Sequence, residues 1–547
     1  MKKALLLLFV FSVLFFSFTN KVPKKTSKPK LVVGIVVDQM RYDYLSRFMD
    51  KFGEGGFKRM IKEGYNCKNN HYNYIPTYTG PGHASIYTGT TPRYHGIIAN
   101  DWYDRDLKKK VNCVDDNSVM PLGTNSNDGK KSPRRMLATT FADENRLFTQ
   151  MKGKTIGISL KHRAAILPAG HTANAAYWFD YEHNGTGNWI SSTYYMKELP
   201  MWVKKYNDSK KTASYFKTWD TFYDIETYTE SGSDSNNFEK IFKGKKTPTF
   251  PYDLDALKNT NGNFKIITNS PYGNNLITDF TINAIEEEAL GKDDITDVLT
   301  VSYSSTDKVG HEFGVNSKEI EDVYIRLDKD LERLFEALDS KVGKGEYTVF
   351  LTADHGAVHI PNFLKSVNIP SGYVITKKIS TKLKAFALAT FKVDGLIENI
   401  SNNQIFLNIE VLKEANLDVA VVQEAIVNEI ITYDQIYKAY TAKTINTSGF
   451  SNGIELMLQN GYNQKLSGDI LMVTHPGHIY YRKTGTTHGA GFNYDTHVPL
   501  LFFGKGIKHG ETFEKTNITD IAPTMSALLD ISYPNVSSNS PLSYVLK

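Results

Sequence analysis

The feature that most constrains this chain is a set of short apolar runs, each of which stops abruptly at a polar residue. Residues 31–37 (LVVGIVV) run into Asp38, and 155–160 (TIGISL) into Lys161. Residues 298–305 (VLTVSYSS) lead to Asp307, and 347–353 (YTVFLTA) to Asp354. Continuous Val/Ile/Leu character without alternation suits strands covered on both faces, as in a parallel sheet between helix layers. Ligands of such sheets bind beyond the carboxyl ends of the strands. The four polar residues are therefore expected on one rim. A fifth run, 498–504 (VPLLFFG), is followed by no ligand-type residue.

Helical patterns lie between these runs. Residues 317–338 place Ile320, Val323, Leu327, Leu331 and Leu334 on one stripe. Two long segments interrupt the alternation. Residues 165–285 are rich in Tyr, Asn, Ser, Thr and Gly and read as an irregular, aromatic-bearing insertion. Residues 358–485 carry a helix signal of their own at 417–431 (LDVAVVQEAIVNEII) and read as a small subdomain. The expected fold is α/β, a central mostly parallel sheet flanked by helices, with two large insertions.

The N-terminus, MKKALLLLFVFSVLFFSFTN, sets two lysines before an apolar run that ends near Ser17 and Thr19. That is a signal-peptide pattern, and the run falls short of the roughly twenty apolar residues of a membrane span. Residues 1–19 are expected to be a leader and 20–547 the folded domain, exported to the periplasm or secreted, with no stable membrane span after processing. Net charge, +5 for the whole chain, drops by two without Lys2 and Lys3, too little to suggest a nucleic-acid duplex as partner. Cys67 and Cys113 are the only cysteines. Two do not make a disulfide scaffold or a zinc finger, and whether they pair is open.

Candidate metal ligands gather at the ends of the runs. In STDKVGHEFG, Asp307 and His311 are one helical turn apart. TADHG joins Asp354 to His355, GTTHGAG holds His488, and Asp38 completes a set of carboxylates and imidazoles suited to zinc. Singly, an Asp–His dipeptide is more often a turn, and an Asp four before a His more often helix surface. Their joint occurrence at strand ends carries the inference. His83, His95, His475 and His478 lack that context and read as structural.

The stretch NYIPTYTGPGHASIYTG, residues 73–89, reads as a loop that becomes a short helix closing at Gly89. Thr79 stands at its start, either as a cap or as a nucleophile.

The ordered motifs VVDQMRYDYL, PTYTGPGHASIYTG, ANDWYD, SLKHRAAILPAGH, STDKVGHEFG, TADHGA and GTTHGAGFNYDTHVPLLF resemble the alkaline phosphatase superfamily. Within it they are similar to the type I phosphodiesterase/nucleotide pyrophosphatase branch, and most of all to its PafA-type, phosphate-insensitive alkaline phosphatases. The resemblance implies two zinc ions per chain. Asp38, Thr79, Asp354 and His355 would hold one, and Asp307, His311 and His488 the other. It further implies Thr79 as nucleophile, with Asn100, Lys161 and Arg163 contacting the phosphoryl oxygens.

Lys161 and Arg163 bear on the substrate. Cations aimed at non-bridging oxygens favour the more highly charged monoester, and on an extended segment residues two apart face one way. The expected activity is an alkaline phosphatase that hydrolyses diverse small-molecule phosphate monoesters through a phosphothreonine. The alternatives are a phosphodiesterase or nucleotide pyrophosphatase on the same scaffold, and a secreted binding protein without catalysis.

Overall fold

The computed structural model describes residues 28–547, apart from 184 and 482. The expected leader lies outside the described residues.

The main sheet has ten strands, here numbered in chain order together with those of a second sheet. They are β1 (Leu31–Val37), β2 (Tyr65–His71), β3 (Pro121–Leu122), β4 (Thr155–Ser159), β5 (Ala175–Phe179), β6 (Trp189–Ser192), β7 (Asp297–Tyr303) and β8 (Tyr347–Thr352). The second sheet supplies β9 (Ile397–Ser401), β10 (Gln404–Leu407), β11 (Ile436–Thr441) and β12 (Ile470–Thr474). The main sheet closes with β13 (Leu500–Gly504) and β14 (Gly510–Asn517).

Spatial order in the main sheet is β14-β2-β13-β8-β1-β7-β4-β5-β6-β3. The run β8-β1-β7-β4-β5 is parallel throughout. Every residue of β1, β4, β5, β7 and β8 is buried, which is why these segments lack the alternation of a half-exposed strand. The carboxyl ends of β1, β4, β7 and β8 thus open on one rim. β13 pairs antiparallel to β8, so its carboxyl end lies at the opposite rim. This accounts for the absence of a ligand after it and puts the chain just before it, where His488 lies, toward the site.

The long helix forms over Lys318–Leu338, with Ser317 Oγ capping the Ile320 N–H at 3.1 Å. All five residues of the apolar stripe are buried.

Residues 165–285 are less of an excursion than their composition suggests. β5 and β6 belong to the main sheet, and the helix Tyr272–Glu287 packs on the core. What lies between is irregular and aromatic: Trp219, Phe250 and Tyr252 interlock with Phe313. In residues 358–485, β9-β10-β12-β11 form an antiparallel sheet backed by helices Thr376–Phe391 and Val419–Ile430 around a separate core. Cys67 and Cys113 are both buried and unpaired.

Candidate metal centre and phosphoryl site

Thr79 is the first residue of helix Thr79–Thr88, which ends at Gly89 in the left-handed conformation, φ 66°. The cap position before the helix is held by Tyr78, whose side chain makes no capping hydrogen bond. Thr79 is therefore not a cap. The helix is held against the rim by His83, whose Nδ1 lies 2.9 Å from Thr79 O and 3.5 Å from Asp354 Oδ2, and whose Nε2 lies 2.9 Å from Ser302 Oγ. Gly82 allows this approach, since a Cβ there would meet the Asp354 carbonyl at 2.6 Å. Asn100 Oδ1 accepts the Gly80 N–H at 2.7 Å, and the amide nitrogen of Asn100 donates to no described residue.

The three carboxylates and three imidazoles converge. One ligand atom each from Asp307, His311 and His488 lie within 4.8 Å of one another, and so do those of Asp38, Asp307 and His355. Asp307 therefore stands between the two groups, where the resemblance placed it in one. Helix Ser305–Phe313 brings His311 Nε2 to 3.0 Å from Asp307 Oδ1. His355 Nε2 lies 3.6 Å from Asp38 Oδ1 and 3.5 Å from Asp354 Oδ2.

The electrostatics of the cluster suit divalent cations. Asp38 Oδ1, Asp354 Oδ2 and His355 Nε2 are buried without a hydrogen-bond partner among the described residues. Burial, together with neighbouring carboxylate charge, raises Asp38 and pushes Asp354 well above its ordinary value. Burial also lowers the imidazole of His355 to about 3 and that of His488 well below its usual range, so both are neutral and available as ligands. His311 is raised: burial opposes its charge, but Asp307 outweighs it. The outer nitrogens are fixed as metal-ligand imidazoles usually are. His311 Nδ1 lies 2.7 Å from Thr486 O, and His488 Nδ1 2.7 Å from Thr77 O. Donor types, orphaned atoms and second-layer contacts all fit a metal.

Lys161 and Arg163 reach the same rim by different routes. Lys161 has extended backbone, φ −89° and ψ 126°, but helix His162–Ala169 begins immediately after it. Arg163 therefore sits in a first helical turn, and the shared strand face expected of the pair does not exist. The cause is local. HRAAIL favours helix, and Ser159 Oγ accepts the Lys161 N–H at 3.3 Å where the strand ends. Lys161 Nζ lies 2.6 Å from Asp38 Oδ2 and 2.5 Å from Asp307 Oδ2. Arg163 Nε is buried with no partner among the described residues.

Sequence reasoning passed over three neighbours. Gln39 adopts φ 65°, donates its backbone N–H to Asp354 Oδ1 at 3.1 Å and its side-chain amide to Asp307 Oδ1 at 2.8 Å. A Cβ on Gly310 would lie 2.0 Å from Gln39 Oε1, which explains the glycine in VGH. Asp495 accepts from the backbone of Gly489 at 2.9 Å and Ala490 at 2.7 Å, clamping the loop that carries His488. Lys308 sets its ammonium 4.4 Å from the Tyr181 ring centroid. Position next to Asp38 could have flagged Gln39. Lys308 likewise follows Asp307 directly, and Asp495 lies within the motif GTTHGAGFNYDTHVPLLF. His95 is tied to Ser85 Oγ at 2.8 Å, and His475 and His478 lie against each other beside the second sheet.

A ten-stranded, largely parallel sheet with candidate metal-ligand Asp/His clusters at its carboxyl rim defines a hydrolase of the alkaline-phosphatase-like fold. The family profile of type I phosphodiesterase/nucleotide pyrophosphatase matches residues 32–498, and the chain belongs to that family. It is 45% identical over 534 residues to alkaline phosphatase PafA of Elizabethkingia meningoseptica, covering 96% of each chain. It is 44% identical over 526 residues to alkaline phosphatase PhoV of Synechococcus elongatus, covering 96% of this chain and 94% of that one. The crystal structure of wild-type PafA superimposes with a TM-score of 0.91 at 44% identity, over 95% of this chain and 99% of that one.

Proposed function

We propose that this chain is an exported zinc-dependent alkaline phosphatase that hydrolyses phosphate monoesters through a phosphothreonine at Thr79. The observation that carries the monoester reading is the pair Lys161 and Arg163 beside the metal cluster, with Arg163 Nε buried and unpartnered among the described residues. A guanidinium nitrogen buried without a partner among the described residues is poised for an external anion. The relatives named alkaline phosphatase support the same reading. Among the described residues no helix is long and apolar enough to cross a membrane.

In this mechanism Asp38, Asp354, His355 and the Thr79 hydroxyl would hold one zinc. Asp307, His311 and His488 would hold the other, and Asp307 also lies within reach of the first group. Zinc at these ligands supplies Lewis acidity that favours ionised oxygen at neutral pH. Arg163, Lys161 and the amide nitrogen of Asn100 bind the non-bridging oxygens and orient phosphorus toward Thr79. The helix that starts at Thr79 points its N-terminal partial charge at the same anion. Thr79 Oγ gives up its proton to solvent and forms the bond to phosphorus as the ester oxygen departs on the opposite side, to be protonated by water. Water then attacks the phosphothreonine, releasing inorganic phosphate and restoring the hydroxyl.

The test is kcat/KM for an aryl monophosphate and its methyl diester, in the parent and in a Lys161→Ala/Arg163→Ala variant. The monoester should be preferred by the parent and should lose far more in the variant. A parent that prefers the diester is a phosphodiesterase on this scaffold.

A further inference from the structure

A cleft of about 300 Å³ opens beside Asn100, between the main sheet's rim and the second sheet. That is the lower end of the range for small-molecule sites, roughly 300–1,000 Å³. Its walls include Tyr78, Asn100 and Trp102 on one side, and Asn399, Ser401 and Asn402 from the β9–β10 hairpin on the other. The hairpin is latched in place, because Asn402 Nδ2 donates to the Asp101 carbonyl at 2.6 Å. Ser401 Oγ donates to Asn399 Oδ1 at 2.8 Å, and the Asn399 amide nitrogen donates to no described residue. Trp102 is 2% exposed, yet its indole N–H has no partner among the described residues.

The cleft begins where the reacting group would end. Asn100 belongs both to it and to the Thr79 helix through the Gly80 N–H, and the ring of Tyr78 meets that of His488 edge-on at 5.7 Å. The lining also limits what it accepts. Trp102 and Tyr103 are largely buried, so no open pair of ring faces is offered to a nucleobase. Lys110 Nζ lies 3.3 Å from Asp101 Oδ2, so its charge is already matched and does not call for a second phosphate. What remains is closely spaced carboxamides and a hydroxyl, which can donate to and accept from neighbouring alcohol groups.

We propose that this cleft receives the alcohol portion of the substrate and selects phosphate esters of polyhydroxylated alcohols, the class of sugar phosphates. The proposal rests on the phosphomonoesterase reading above. A site built to hydrogen-bond hydroxyls discriminates against an analogue lacking them, since its own polar groups are then left unpaired.

The experiment compares kcat/KM for a hexose 6-phosphate and for cyclohexylmethyl phosphate, a ring-matched primary ester without hydroxyls. Both are measured in the parent and in an Asn399→Leu/Ser401→Ala variant, with phenyl phosphate as a third substrate. The parent should favour the hexose ester by about tenfold, the effect of one or two neutral hydrogen bonds. The variant should lose that preference while hydrolysing phenyl phosphate as the parent does. Comparing the two proteins cancels the intrinsic difference between the alcohols as leaving groups. Equal rates for the two alkyl esters in the parent, or an equal loss of both in the variant, would overturn the proposal even with phenyl phosphate turned over normally. A parent inactive on phenyl phosphate would remove the phosphomonoesterase reading and this one with it. Should the double variant fail to fold, Ser401→Ala alone carries the same comparison, since it removes only the hydroxyl that donates to Asn399 Oδ1.

Discussion

Lys161 holds its ammonium nitrogen 2.6 Å from Asp38 Oδ2, inside the carboxylate set assigned to metal. A fixed cation there and a metal ion draw on the same negative charge. Lys161→Leu should therefore move two measurements in opposite directions. Monoesterase kcat/KM should fall about ten- to a hundredfold, the effect of a charge-assisted contact of about 1.5–3 kcal/mol. Zinc retention against a competing chelator should rise, because like charges about 5 Å apart still repel by a few kcal/mol at an effective dielectric near 20. Arg163→Leu provides the contrast, with turnover lost and zinc retention near the parent's. If Lys161→Leu loses zinc together with activity, Lys161 is a brace for the carboxylates.

Thr79 stands at the start of its helix without capping it. Thr79→Ala removes the attacking oxygen and should abolish turnover to within background. Thr79→Ser keeps the hydroxyl and should retain substantial activity. Brief reaction with substrate followed by acid quench and mass spectrometry should place a phosphoryl group on Thr79 in the parent and none in Thr79→Ala. Near-normal turnover by the alanine variant would reassign the nucleophile.

Buried, unpartnered ligand atoms on Asp38, Asp354 and His355 imply that the cluster is built around cations. Purified protein should contain about two zinc ions per chain, lose hydrolysis on chelation and regain it with zinc. The melting temperature should fall on chelation as well, since a metal that binds only the folded chain stabilises it by mass action. Activity that survives exhaustive metal removal would end the zinc reading.

The sheet and its rim were legible because burial on both faces leaves an unbroken apolar signature. Residues 31–37 formed β1 as expected, and the turn spacing of Asp307 and His311 became a 3.0 Å contact. What escaped depends on tertiary placement. β5 and β6 sit inside a stretch whose composition is dominated by the irregular loops around Trp219. Arg163 was placed on a strand because TIGISL carries no mark of where it stops. Gln39 acquires its role from a left-handed backbone and from partners 268 and 315 residues away in sequence. Asn399 and Ser401 matter only because the second sheet folds back over Asn100, which no local pattern encodes.

Away from the metal cluster, Glu319 is one of several buried carboxyls through which stability should vary with pH, with Glu239, Glu321 and Asp330 also raised. Glu319 is fully buried at the start of the long helix, accepts the Tyr252 hydroxyl at 2.5 Å through Oε1, and has no partner for Oε2 among the described residues. Burial pushes its carboxyl from an ordinary 4.5 up to about 8. Between those values the folded chain keeps a proton that the unfolded chain has released. The resulting stability is complete below 4.5 and disappears as pH rises through about 8. At about 1.4 kcal/mol per pH unit of separation, the total is on the order of a few kcal/mol. Glu319→Gln preserves an acceptor for Tyr252 and removes the titration. Urea midpoints measured from about pH 5 to 9 should fall more steeply for the parent, leaving the variant the more stable protein at the alkaline end. Parallel slopes would mean that the Glu319 carboxylate is formed inside the fold without cost, held by a charge partner that replaces the missing proton.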